Sequence, residues 1–157
     1  MMLLWRISNY ADLKGIGGLR AAGRWHYAGQ PVVYLAEHPA LALLETLVHL
    51  EIRSVDQLPD GYQLLRVEIP DAVTVAEIAE ADTPVDWRQN PGWTRGAGTE
   101  WLGAQPSALL RVPSAVVPFA HNCLLNPAHP DAGVVRIVEI VQAPHDSRIL
   151  KLLAGGG

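Results

Sequence analysis

Short β-rich runs alternate along the chain with one long apolar run, and this pattern predicts a mixed α+β domain. Strands are predicted where β-branched residues and alternating polarity are enriched, at residues 3–8 (LLWRIS), 32–36 (VVYLA), 62–69 (YQLLRVEI) and 134–141 (VVRIVEIV). The main helix is predicted from Pro39 to Ile52, because Pro is tolerated in a first helical turn and a Leu- and Ala-rich run follows it. Several strands with few helices favour α+β over a doubly wound sheet.

The segments between these elements are less regular. Gly15 to Pro31 forms a Gly-rich loop in this interpretation, and residues 71–107 are mixed, with a short helix predicted around Thr99 to Gln105. Residues 148–153 (RILKLL) fit a strand or a helix equally well. The final glycines, 155–157, are expected to form a flexible tail.

Length, charge and cysteine content indicate the number of domains, the partners and the compartment to expect. The 157 residues, 49% of them hydrophobic, are enough for one core, so a single compact domain is expected over residues 1–154. A net charge of -4 without a long run of one sign gives no basic stripe for nucleic acid.

The single cysteine, Cys123, fits a reducing cytoplasm. Arg6 interrupts the apolar start, and no run approaches the ~20 apolar residues of a membrane span. We therefore expect a cytoplasmic protein that contacts neither membrane nor nucleic acid directly.

Glu45 stands in the middle of the predicted main helix, which is otherwise apolar almost all round. Its helical neighbours at three and four residues include Leu41, Val48 and His49, so we expect the helix to be largely buried. A carboxylate in such a place is costly unless a cation or hydrogen-bond donors meet it. Two interpretations are open: a structural salt bridge to an internal arginine, or a carboxylate with a perturbed pKa that faces a cleft.

The Gly-rich loop is a second candidate for chemistry. Its glycines allow backbone to approach a ligand closely, yet GIGGLR is no dinucleotide fingerprint, because Arg20 occupies the third glycine position. A solvated turn is the simpler interpretation. Arg24 is followed by Trp25 and Tyr27, and a guanidinium beside aromatic surface suits a phosphate-bearing ligand that contains a ring.

A third region, from Arg111 to Asp131, holds Ser114, Asn122 and Asn126. Ser114 lacks the G-x-S-x-G pattern of a hydrolase nucleophile, so a turn or cap is its simpler role. The six histidines show no tight ligand spacing, and no metal site is expected.

Several of these segments together resemble the RES domain. The similar stretches are WRIS at 5–8, AGRWHYAGQPVVYLAE at 22–37, the helix ALALLETLVHL and PSAVVPFAHNCLLNPAHPD. The family takes its name from an Arg, a Glu and a Ser, which match Arg6, Glu45 and Ser114. The resemblance covers nearly the whole chain and implies a fold related to the ADP-ribosyltransferases, with a mixed sheet and flanking helices.

Further matches refine the resemblance. The family's Arg-Trp pair falls on Arg24 and Trp25, and its strand tyrosine falls on Tyr34. The residue after Arg-Trp is often Asn, whereas this chain has His26, so a ligand contact there is open. The Asn-x-x-x-Asn-Pro segment is matched from Asn122, with Cys123 where an aromatic is common.

The resemblance implies a toxin of a toxin–antitoxin pair that consumes NAD as substrate, without a cofactor. It implies that Glu45 acts on the ribose and that Arg6 and Arg24 hold the pyrophosphate. Tyr34 and Trp25 would offer rings for stacking, and Ser114 and Asn122 would form hydrogen bonds with nicotinamide or ribose. Tyr27, close to Arg24 and Trp25, is a further candidate for contact with the substrate. Water, inorganic phosphate or a protein side chain remain open as acceptors, and a module that binds the nucleotide without turnover is a further alternative. The implied partner is an antitoxin with a helix-turn-helix region, in a complex that contains a toxin homodimer.

Overall fold

The computed structural model describes residues 1–49, 62–142 and 146–154. Four α-helices are described, α1 (Ile16–Arg20), α2 (Pro39–His49), α3 (Pro91–Ala104) and α4 (Ser147–Ala154). Seven strands are described, β1 (Met2–Ser8), β2 (Val33–Ala36), β3 (Gln63–Ile69), β4 (Val75–Glu77), β5 (Leu109–Pro113), β6 (His121–Leu125) and β7 (Arg136–Gln142). They form one sheet in the order β4-β5-β6-β2-β1-β3-β7. Only β4 and β5 pair in parallel among these strands, so the predicted mixed α+β architecture is confirmed.

Side chains alternate between two packed faces of this sheet. In β6, Cys123 and Leu125 belong to one core cluster, whereas Leu124 between them belongs to another. The second cluster is built around buried tryptophans, of which Trp87 and Trp101 are almost inaccessible to solvent. Because both faces are covered, the central strands carry apolar residues at odd and even positions alike.

Three of the four predicted strands are confirmed, one begins later than predicted, and three strands were missed. The strands at 3–8, 32–36 and 62–69 agree with β1, β2 and β3 within two residues. The last predicted strand begins at Arg136 instead of residue 134, because Pro130–Val134 forms a 3-10 turn capped by the side chain of His129. No strand was predicted for β4, β5 or β6. β5 and β6 bury adjacent residues and so lack the alternation that marks a half-buried strand, and β4 has only three residues, none of them buried.

The helices also differ from the prediction. The Gly-rich segment contains the short helix α1, which starts after Gly15 in a left-handed conformation (φ 67°). The helix predicted around Thr99 begins earlier, at Pro91, because the Asn90 side chain accepts from the Trp93 amide and caps it. Residues 148–153 lie within a helix, α4.

The main helix α2 is covered on one side only. Leu41, Ala42 and Leu47 are buried, whereas Leu44 and Val48 are 40% and 53% exposed. The expectation of a largely buried helix is therefore wrong, since α2 packs against β1 and β2 and leaves its opposite side open. Its predicted extension from residue 50 to 52 lies outside the described residues, as do the terminal glycines. None of the described helices is long and apolar enough to cross a bilayer.

Helix α3 fixes the backbone of the Gly-rich segment. Thr94 donates its hydroxyl to the Arg24 carbonyl at 2.6 Å, and Arg95 Nε donates to the Gly23 carbonyl at 2.9 Å. Gly98 lies so close that an added Cβ would stand 1.6 Å from the Trp25 carbonyl oxygen. The backbone that carries Arg24 is thus held against α3 at three consecutive residues.

The contact at Gly98 gives a stability test. We expect Gly98→Ala to lower the free energy of unfolding by at least ~1–3 kcal/mol, because backbone must move apart to admit the methyl group. Gly96→Ala, in the same helix with open space around it, is the matched control and should be neutral or stabilising by up to about 1 kcal/mol. Urea unfolding of both variants provides the measurement, and equal stability would contradict this packing.

Candidate functional site

A cavity of about 450 Å³ lies between β1, β2, α2 and the Gly-rich segment. This volume is in the usual range for a small-molecule site. The polar groups of this main cavity include Arg6, Arg24, Tyr34, Glu45 and Asn122. The chain thus brings together residues from β1, α2, β6 and the Gly-rich segment that lie up to 116 positions apart.

A hydrogen bond from Ser114 orients the carboxylate of Glu45. The Ser114 hydroxyl donates to Glu45 Oε1 at 2.8 Å, and it accepts from the amides of Val116 and Val117 at 3.1 Å each. Both acceptor positions of the hydroxyl oxygen are therefore occupied, which directs its single proton at the carboxylate. Ser114 is buried, so we assign it to the positioning of Glu45 and not to the direct ligand contact expected from the sequence.

The environment of Glu45 opposes its ionisation. Burial raises the pKa of Glu45, and hydrogen bonds from Ser114 and Asn122 together with the charges of Arg24 and His49 counteract part of this rise. Among the described residues no cation lies within salt-bridge distance of Glu45. The structural salt bridge, one of the two interpretations open from the sequence, is thus absent from that part of the chain, and the carboxylate borders the cavity.

Arg24 is anchored at the cavity wall. Its Nη2 donates to the carbonyls of Trp87 at 2.8 Å and Arg88 at 2.6 Å, and its guanidinium lies 5.6 Å from the centre of the Trp87 ring. Burial lowers the pKa of Arg24, and the nearby charges of Arg95 and Arg88 lower it further, against the attraction of Glu45. The guanidinium is held in one place, as an anion-binding group requires.

Arg6 supplies a second cation to the main cavity from strand β1. Burial lowers the pKa of Arg6, and the charge of Asp12 opposes that shift. Its guanidinium makes no ion pair or hydrogen bond with another residue in the described ranges, so its donors are open to a ligand there.

His26, which is buried, and Tyr34, which is partly buried, form a hydrogen-bonded pair beside the Gly-rich segment. His26 Nε2 lies 3.2 Å from the Gly18 carbonyl, which can only accept, so Nε2 carries the proton. In the neutral ring Nδ1 then accepts from the Tyr34 hydroxyl at 2.7 Å, and that hydroxyl accepts from the Trp25 amide at 3.0 Å. Burial lowers the pKa of His26 and raises that of Tyr34, which keeps both groups neutral. His26 thus positions the segment and Tyr34, a role that its sequence position did not reveal.

The structure places the aromatic residues Trp25 and Tyr27, both expected to contact the substrate, in different surroundings. Trp25 borders the cavity, but its side chain is buried and its ring packs 5.9 Å from Trp87 and 6.3 Å from Trp93. Tyr27 is 48% exposed outside the cavity lining, with its amide bound to Thr99. The chain bends at Arg24 and Trp25 and turns after Tyr27, so these side chains do not share the face that an extended segment would give residues two positions apart. Tyr34 is the expected stacking residue whose side chain remains at the cavity.

A smaller side cavity of about 280 Å³ adjoins the main cavity. Both are lined by Arg24, Glu45 and His49, and the side cavity adds Arg88 and Val116. His49 follows Glu45 by one helical turn, so its spacing could have identified it. Arg88 had no such signal, because the fold brings residues 87–89 to Arg24. In the described ranges no three His, Cys, Asp or Glu residues converge as they would around a metal ion.

Comparison with known proteins decides the family. The family model of the RES domain matches residues 3–147. This chain belongs to the RES domain family. The chain is 47% identical to Toxin Res of Pseudomonas putida KT2440, over 94% of the chain and 99% of that protein. It is 38% identical to the Prs ADP-ribosylating toxin of Sphingobium sp. YBL2, over 94% of the chain and 96% of that toxin.

A structural comparison agrees with this assignment. The fold is similar to a chain in the crystal structure of the Mycobacterium tuberculosis MbcT–MbcA toxin–antitoxin complex, with a TM-score of 0.68 and 16% identity. The match covers 98% of this chain and 89% of the other. This RES domain protein therefore falls in a group whose curated members are toxins. Of the three residues that match the family name, Glu45 and Ser114 are in hydrogen-bond contact and Arg6 lines the same cavity.

The buried hydroxyl of Ser114 gives a second stability test. Ser114→Ala should lower the free energy of unfolding by about 1–3 kcal/mol, because the amides of Val116 and Val117 lose their acceptor. Thermal or urea unfolding measures this change. The exposed Ser147→Ala at the start of α4 is the control, and a similar loss in both variants would contradict the arrangement.

Proposed function

We propose that this RES domain protein is a toxin that degrades NAD by cleaving the bond between nicotinamide and ribose. The supporting observation is the carboxylate of Glu45, which lies at the junction of two cavities and accepts the proton of the Ser114 hydroxyl. A half-buried carboxylate that borders a cavity beside two arginines suits a cationic sugar intermediate and an anionic substrate.

The chemistry needs little from the protein at the leaving group. The nicotinamide of NAD is a cationic pyridinium, and its departure as a neutral molecule needs no general acid. The ribose left behind has oxocarbenium character, which an oriented carboxylate at Glu45 stabilises. Arg6 and Arg24 would hold the pyrophosphate, and Tyr34 and Asn122 would contact the nicotinamide or ribose. NAD is the substrate, and no cofactor takes part.

The acceptor of ADP-ribose distinguishes three reactions. Water gives ADP-ribose and phosphate gives ADP-ribose phosphate, and these are the two reactions that we propose. Modification of a protein side chain is the alternative, and it is supported by the name of the Sphingobium relative, a Prs ADP-ribosylating toxin. Labelled NAD separates these cases, because only the alternative leaves label on protein.

An antitoxin partner follows from the same proposal. A free NAD-consuming enzyme would harm its own cell in the cytoplasm, and the structurally similar M. tuberculosis chain is part of a toxin–antitoxin complex. We propose that a cognate antitoxin with a helix-turn-helix region covers the main cavity, in a complex built on a toxin homodimer. DNA contacts would belong to the antitoxin.

The central test removes the charge of Glu45. We expect Glu45→Gln to lower the rate of NAD cleavage by about 10²–10³-fold, the usual effect of losing one electrostatic stabiliser of a transition state. NAD and nicotinamide are followed by chromatography, with and without phosphate. Glu100→Gln, an exposed carboxylate on α3, is the control and should cleave at the wild-type rate.

The outcomes separate activity from site assignment. If the wild-type protein binds NAD but leaves it intact when free of any partner, it is a binding module and the proposed activity is wrong. If Glu45→Gln cleaves as fast as wild type, the activity stands and the role of Glu45 is wrong.

The pKa of Glu45 predicts the acidic limb of the pH profile. Catalysis requires the ionised carboxylate, and burial raises the pKa of Glu45, so activity should fall with decreasing pH at a value above the usual glutamate range. Ser114→Ala removes a hydrogen bond that lowers this pKa, so the limb should move to higher pH. Initial rates between pH 4 and 9 measure it (roughly the range in which carboxylates and histidines titrate). A limb that stays in place, as we expect for Ser147→Ala, would argue against the hydrogen bond to the ionised form.

A further inference from the structure

The side cavity carries more positive charge than its acids balance. Arg24 and Arg88 line it, and Arg95 is close enough to Arg24 to depress its pKa. Glu45 in the wall and Glu80, which pairs with Arg88 at 2.9 Å, are the opposing carboxylates among these contacts. Two guanidinium groups and one carboxylate therefore line the side cavity, and Arg95 adds a further positive charge close to Arg24. Like charges gathered in this way are stabilised when an anion joins them.

The two arginines of the side cavity are held rigidly by one tryptophan. The Trp87 ring is buried, and the guanidinium carbons of Arg24 and Arg88 lie 5.6 and 4.6 Å from its centre. Arg24 Nη2 is bound to two carbonyls, and Nη1 forms no hydrogen bond with any other residue in the described ranges. Arg88 is similarly fixed by Glu80. Their donors are thus oriented before a ligand arrives, which reduces the entropy lost on binding.

The position of the side cavity relates it to the reaction. Glu45 and Arg24 border both cavities, whereas Arg6, Tyr34 and Asn122 border the main cavity and Arg88 the side cavity. A molecule in the side cavity therefore lies next to the carboxylate without occupying the space that Tyr34 and Asn122 line.

We propose that the side cavity is a subsite for a phosphoryl oxyanion, with Arg88 as its specificity-determining residue. The inference rests on the proposed NAD cleavage and deepens it. Such an oxyanion has two sources: inorganic phosphate as the acceptor, or the pyrophosphate of NAD. As acceptor, a phosphate oxygen forms a bond to ribose C1′ while the bond from C1′ to the pyridinium nitrogen breaks. The electron pair of that bond leaves with nicotinamide, which becomes neutral, and nothing is oxidised or reduced.

The ion pair between Arg88 and Glu80 allows a charge-reversed test. Arg88→Gln and Glu80→Gln break the same ion pair, but the first removes a positive charge and the second a negative charge. For an anion subsite, Arg88→Gln should raise the KM for phosphate or the KM for NAD about tenfold to a hundredfold, the effect of losing one hydrogen bond to a charged group. Glu80→Gln should leave that KM equal or lower it, and Arg88→Lys should restore part of the affinity. If Arg88 merely stabilised the fold, both glutamine variants would raise KM alike.

The affected substrate identifies the anion. A rise in the KM for phosphate during phosphorolysis identifies the acceptor, and a rise in the KM for NAD with and without added phosphate identifies the pyrophosphate. Either result supports the subsite. The subsite is wrong if the KM for phosphate and the KM for NAD are each the same in Arg88→Gln as in the wild type.

Binding measurements separate this inference from the proposed activity. Calorimetry with inorganic phosphate and with pyrophosphate compares the folded wild type with Arg88→Gln, whether or not NAD is cleaved. Binding that is weakened in Arg88→Gln supports the subsite even if the protein leaves NAD intact. Absence of binding of both anions to the wild type overturns the subsite, while cleavage of NAD by the same sample would leave the proposed function standing.

Discussion

The hydrogen bond between Ser114 and Glu45 joins parts of the molecule that are 69 positions apart, and the site is built around it. A carboxylate on an apolar helix is costly to bury without donors. The fold meets this need with the loop after β5, where two backbone amides bind the serine oxygen and turn its proton toward the helix. Helix α2 is therefore tied to the β5–β6 end of the sheet, and the main cavity lies along this junction.

A second constraint determines where the arginines stand. A Gly-rich segment would ordinarily be adaptable, but here its backbone is bound by Thr94 and Arg95 of α3 and pressed against Gly98. The hydrogen-bonded pair of His26 and Tyr34 also binds this segment, because His26 Nε2 donates to the Gly18 carbonyl. The backbone of Arg24 is thus fixed, and hydrogen bonds to the carbonyls of residues 87 and 88 fix its guanidinium. The guanidinium groups of Arg24 and Arg88 are thus held beside each other, with Glu80 as the ion-pair partner of Arg88.

These constraints also explain how one fold could serve related toxins that bear different names. Membership of the RES family places this chain beside proteins named Toxin Res and a Prs ADP-ribosylating toxin. In the NAD cleavage that we propose for this chain, the chemistry at the ribose uses the oriented carboxylate of Glu45. The choice of acceptor depends on what approaches that carboxylate, and in this chain the adjoining space is lined by Arg24 and Arg88. We therefore expect differences between relatives to be concentrated in the side cavity.

The sequence by itself determined the mixed α+β class, the three strands β1 to β3, the start of α2 and the exceptional character of Glu45. These features depend on local patterns, such as alternation in β3 and a proline at the start of a helix. The resemblance to the RES domain added Arg6 and assigned Arg24 and Ser114 to the same site as Glu45, but it did not assign their contacts. The tertiary structure alone decided that Ser114 faces Glu45, that Trp25 is a core residue and that Tyr27 lies outside the cavity. It also brought Arg88 to Arg24, since such neighbours are created by long-range packing against Trp87, which no local spacing encodes.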